Sequence, residues 1–89
     1  MPKIVLTHAV HDLDRWLQGK QERADTIGSG GGRNVQDYVS QDGSSNIAIT
    51  ADVDDPTALK GMVESPPPEV LATMESHGVV QPISVYVEA

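Results

Sequence analysis

The chain has no cysteine and no phenylalanine among its 89 residues. The first absence excludes disulfides, thiolate zinc sites and thiol nucleophiles. The second leaves one Trp and two Tyr as the whole aromatic complement. The core must therefore be built from Ile, Val, Leu and Met, which bury less area per side chain. A modest core in so small a domain is often completed by association, a first argument for a homodimer. Basic charge is also scarce, with six Lys and Arg against thirteen Asp and Glu and a formal net charge of −7. Lys3, Arg15, Lys20, Arg23, Arg33 and Lys60 are scattered among acids, so neither nucleic acid nor an anionic membrane is an expected partner. No run approaches the ~20 apolar residues needed to cross a bilayer. The apolar start is too short for a secretory signal, and cytoplasmic residence is the expectation.

What is present reads as one small domain over residues 1–89. "KIVLTHAV" (3–10) is short, β-branched and without helical spacing, hence a strand. Ile4, Leu6, His8 and Val10 share one of its faces; Val5, Thr7, Ala9 and His11 share the other. "DLDRWLQGKQERADTIG" (12–28) reads as a helix capped by Asp12, with Leu13, Trp16, Leu17, Ala24 and Ile27 as its apolar stripe. The glycine run "GSGGG" (28–32) lacks the Lys-Ser/Thr of a phosphate loop and follows a helix, so it reads as a connector.

"RNVQDYVSQ" (33–41) and "SNIAITADV" (45–53) flank Asp42-Gly43, a hairpin signal. Ile47, Ile49, Ala51 and Val53 alternate cleanly. The phase of the preceding strand is ambiguous, because Val35 and Val39 share a face with Asp37. "DDPTALKGMVES" (54–65) starts a helix with Asp55 as cap and Pro56 at the first helical position, and Ala58, Leu59, Met62 and Val63 should face inward. "SPPP" (65–68) interrupts it. The helix restarts with Val70, Leu71 and Met74 inward and closes at Gly78. "VVQPISVYVEA" (79–89) is the last strand, and Pro82 places it at a strand start or an edge.

The order is β-α-β-β-α-β with a split second helix. That is an α+β, ferredoxin-like arrangement: a four-stranded antiparallel sheet with helices on one face. The other face carries Val5, Thr7, Ala9, Ala48, Thr50, Ser84 and Tyr86. These side chains are too small and apolar for a solvent face and suit a second sheet, as in a twofold dimer.

Three stretches resemble dimeric α+β-barrel proteins related to the antibiotic-biosynthesis monooxygenase group. They are "V…HDLDRW…R…G" (10–28) with its Asp-x-x-x-Trp helix start, "DGSSNIAITADVDDPTALKGMVESP" (42–66), and "M…HGVVQP" (74–82). The resemblance spans most of the chain, and its markers are structural. It implies a dimer with a pocket between helices and sheet in each subunit. The functions it implies are cofactor-free oxidation of phenols, polyketide cyclisation, haem degradation or ligand binding. Haem-degrading relatives use an Asn, a Trp and a His. This chain has no Asn on its first strand, and its Trp16 lies on a different helix, so haem is not the expected group.

The candidate cavity residues are His8, Trp16, Met62, Met74 and His77. His8 faces the helices, either as a semi-buried imidazole or as a pocket acid/base, since imidazole titrates near neutrality. His11 belongs to the strand–helix junction. His77, before Gly78, suits a helix C-terminus. Trp16 suits a core anchor. No histidine pair has ligand spacing, so neither a metal nor a cofactor is expected. The expectation is a homodimer binding a small apolar or aromatic ligand. The first alternative is a cofactor-independent monooxygenase or cyclase with His8 as base. The second is a structural or interaction domain without a pocket.

Overall fold

The computed structural model describes residues 2–89. Its elements are β1 (Lys3–Val10), α1 (Leu13–Gln18), α2 (Lys20–Ser29), β2 (Gly32–Val39), β3 (Asn46–Val53), α3 (Pro56–Glu64), α4 (Pro68–Ser76) and β4 (Val79–Val87). The strands form one sheet in the order β2-β3-β1-β4, with every neighbouring pair antiparallel. This is the ferredoxin-like α+β fold. Among the described residues, no helix is long and apolar enough to cross a membrane.

Alternation decides which face each strand buries. Ile4, Leu6 and Val10 of β1 and Ile47, Ile49, Ala51 and Val53 of β3 are all buried under the helices, joined by Trp16, Ile27 and Leu59. β1 and β3 are the central strands, so they carry most of this core.

The helix starts follow their caps. The Asp12 side chain accepts from the Arg15 backbone N–H, and the Asp55 carboxylate accepts from those of Thr57 and Ala58. Such caps contribute on the order of 1 kcal/mol each. The first helix is not continuous, as its sequence suggested, but breaks at Gly19 into α1 and α2. Three side chains expected inward point out instead: Leu17 and Leu71 are exposed at 42% and 43%, and Ala58 is exposed too. The buried stripes of these short helices are therefore narrower than the apolar patterns that suggested them.

The ambiguity of β2 has a physical source. Between Arg33, which pairs with Asp52, and Gln36, which pairs with Thr50, β2 carries one extra residue. Asn34 absorbs this bulge at φ 54°, a left-handed conformation that Asn tolerates, and its side-chain amide donates to Asp52 at 2.8 Å. Beyond the bulge, Asp37 lies opposite Ile49 and faces inward. Tyr38 lies opposite Ala48 and faces out. The β2–β3 hairpin turns at Asp42-Gly43, where the Asp42 carboxylate accepts from Ser40 Oγ at 2.6 Å and the Ser44 N–H at 2.8 Å. Pro82 sits on edge strand β4, within a register shift that leaves two extra β4 residues between the partners of Thr7 and Ala9.

Candidate functional site

Helices α2, α3 and α4 do not close completely on the sheet. They leave a cavity of ≈ 90 Å³ between themselves and β1, β3 and β4. Leu6, Ile27, Ile49, Leu59 and Ile83 are among its apolar wall, and Met62 and Met74 face it from α3 and α4. Its polar lining is Thr26, Thr73, His8, His77 and Arg23.

His8 reaches the cavity because it follows Ile4 and Leu6 on the inward face of β1. Its Nδ1 lies 2.8 Å from the Ala9 carbonyl oxygen. A carbonyl can only accept, so Nδ1 carries the proton and Nε2 keeps its lone pair. Burial pulls the imidazole below its ordinary pKa; the Ala9 hydrogen bond opposes this, and the Arg23 charge adds to it. The group is therefore neutral at pH 7, with one basic nitrogen.

His77 caps the C-terminus of α4 and is buried. Its Nε2 lies 3.3 Å from the Glu22 carboxylate, to which it donates. The Thr73 hydroxyl also donates to Glu22, at 3.4 Å. Glu22 thus ties α2 to α4 across one end of the cavity.

Arg23 was not singled out by its sequence, yet it dominates the electrostatics of the site. It is 6% exposed and packs its guanidinium carbon 3.8 Å from the Trp16 ring centroid. A desolvated cation on an indole face is worth about 2 kcal/mol. Nη1 donates to the Trp16 carbonyl, and Nε lies 3.6 Å from the buried carboxylate of Asp37. Burial pulls the guanidinium below its usual pKa while Asp37 opposes the shift; an arginine remains charged regardless. Nε and Nη2, both Asp37 oxygens and the Trp16 indole N–H have no hydrogen-bond partner. The signal in the sequence was the inward phase of Asp37 between Val35 and Val39, which demands a buried cation.

Of the five residues named from the sequence, His8, Met62, Met74 and His77 come together in the cavity wall. Trp16 does not line it; it lies behind, fully buried, under Arg23 and edge-on to His8 at 6.5 Å. His11 is exposed at the strand–helix junction. Among the described residues, no group of three or more His, Cys, Asp or Glu is placed to hold a metal ion.

No protein-family model matches the chain, and a search of curated proteins finds no match. Solved structures do match over nearly its whole length. One is an antibiotic biosynthesis monooxygenase, with a TM-score of 0.66 at 14% identity, covering 100% of this chain and 97% of that one. A second is a candidate antibiotic biosynthesis monooxygenase from Nitrosomonas europaea, with a TM-score of 0.68 at 9% identity, covering 99% and 88%. A third is a dimeric ferredoxin-like protein from an uncultured marine organism, with a TM-score of 0.56 at 11% identity, covering 98% and 95%. These likenesses establish the fold.

Proposed function

We propose that the chain is a small-ligand-binding protein: a single domain that forms a homodimer through its open sheet face and holds an apolar or aromatic ligand between helices and sheet. The observation that carries this reading is the cavity itself, an almost wholly apolar space left between helices and sheet, as the bodies of ligand sites are. The two methionines suit it, because thioether side chains adapt to different shapes. His8, Met62, Met74 and His77 are the proposed ligand contacts, with Trp16 as the support behind them. Cytoplasmic residence belongs to the same reading.

The dimer is supported by the outer sheet face. There Val5 pairs with Tyr86 and Thr50, and Thr7 pairs with Ser84 and Ala48. Tyr86 and Tyr38 stand out from this face, 58% and 50% exposed. A twofold axis would cover it with its own copy, and one neighbour in fold is described as dimeric.

A second reading, favoured by the fixed tautomer of His8, is a cofactor-independent monooxygenase or cyclase. Nε2 would take a phenolic proton, and the nearby Arg23 charge would stabilise the oxyanion. His8→Ala would then abolish turnover of a phenolic substrate; unchanged turnover ends this reading. Ligand binding ranks first because the hydrogen-bond partner of His8 is a backbone carbonyl, with no orienting carboxylate. A purely structural domain would pack His8 solidly, whereas this one leaves it facing the cavity.

Calorimetric titration with single-ring and short branched compounds, neutral and charged, tests the main reading. At least one should bind saturably with one site per chain, and the cavity-filling Met74→Trp variant should lose it. No saturable binding up to about 10 mM, equivalent to less than about 3 kcal/mol, contradicts it.

A further inference from the structure

We infer that the cavity admits a small neutral hydrocarbon and discriminates against ligands that carry a hydroxyl or carboxylate; this rests on the ligand-binding reading above. Five polar side chains stand around the cavity, and each directs its donors to the protein. The Thr26 and Thr73 hydroxyls donate to carbonyls one turn back on their own helices, to Glu22 at 2.9 Å and to Glu69 at 3.0 Å. His77 Nε2 is held by the Glu22 carboxylate, and His8 Nδ1 by the Ala9 carbonyl. The Arg23 guanidinium faces the Trp16 carbonyl, the Trp16 ring and Asp37. What these residues leave to the lining is methyl and ring carbon. The other ring nitrogens of His8 and His77 add almost nothing to it, because the cavity surface exposes almost no polar atom.

A hydroxyl carried into such a space gives up its water and gains no partner, and an ionised carboxylate fares worse. Water itself needs about two to four polar partners to settle in a cavity. A hydrocarbon loses nothing of this kind on entry, and it gains both burial and dispersion contacts.

Size narrows the class. An apolar cavity of about 150 Å³ stays dry and binds benzene; this one measures ≈ 90 Å³. Met62 on α3 and Met74 on α4 face it, and their unbranched thioethers adjust to a guest by rotation. Both are only partly buried, and α4 carries no fully buried residue, so this wall gives more readily than the sheet. One ring or a short branched chain is the size that follows.

The test compares toluene with phenol and benzoate, and isopentane with isobutanol, by calorimetry on the full chain at pH 7. In each series one methyl of the hydrocarbon is replaced by a hydroxyl or a carboxylate. At least one hydrocarbon should bind saturably, and at least about tenfold more tightly than its polar counterparts, equivalent to about 1.4 kcal/mol. Met74→Trp, which fills the cavity, should abolish that binding. A polar counterpart that binds as tightly as its hydrocarbon overturns the inference and leaves the ligand-binding reading standing. No binding by any of the five overturns both, as does a hydrocarbon that still binds Met74→Trp. Should Met74→Trp fail to fold, the wild-type Met62 and Met74 methyl resonances decide. They should shift as the hydrocarbon saturates the protein; resonances that stay in place overturn the inference.

Discussion

The imidazole of His77 occupies the space that a side chain at Gly19 would need: a Cβ built there would lie 2.6 Å from His77 Nε2. The break between α1 and α2 and the cap of α4 are therefore one packed contact, made by a histidine that also lines the cavity. Gly19 has φ −87° and ψ 10°, which any residue can adopt. Only the histidine demands glycine.

Gly19→Ala separates these effects. Helix propensity alone would favour Ala by about 1 kcal/mol. Overpacking against a buried ring costs about 1–3 kcal/mol and should win. Urea denaturation should show net destabilisation in the wild type, and a neutral or stabilising effect in a His77→Ala background. Equal effects in both backgrounds would refute the contact.

Asp37→Leu should destabilise by about 3–5 kcal/mol, because it strands the Arg23 charge in the core. Adding Arg23→Met should recover most of that loss, since an apolar pair avoids the desolvation penalty. A denaturant double-mutant cycle measures the coupling. Additive losses would mean that the two charges do not depend on each other.

The pH dependence of stability follows from His8. Its folded pKa lies below the unfolded value of about 6.5. Between the two, the unfolded chain binds the extra proton, so stability rises with pH through that window and levels off above about 6.5. On acidification from pH 7, wild type should lose melting temperature faster than His8→Gln. Parallel profiles would contradict a buried neutral imidazole.

Thr7 stands at the centre of the outer sheet face, between Ala48 and Ser84. Thr7→Glu should leave the circular dichroism of the fold intact and convert dimer to monomer in sedimentation equilibrium. A wild type that is monomeric and folded at high concentration would remove the dimer from the proposal.

Much of the fold was legible because period-two alternation is unambiguous where both neighbouring strands are present, as for Ile47 to Val53. The split of the second helix was legible from its prolines. The break at Gly19 was not, because a single glycine inside a helical pattern is usually tolerated and its reason, His77, lies 58 residues away. The phase of β2 was hidden by a bulge that only pairing with β3 reveals. Arg23 was missed for a related reason. A basic residue on a short helix reads as solvated unless its buried partner is known, and that partner sits on the one strand whose phase was ambiguous.

Methyl NMR locates the site most directly. With the methionine and alanine methyls labelled, a ligand that saturates the protein should shift Met62 Cε and Met74 Cε. Ala48 Cβ, on the opposite face of the sheet, should stay in place. Methionine signals that do not move at saturation, or an Ala48 signal that moves as far as they do, would contradict a ligand held between the helices and the sheet.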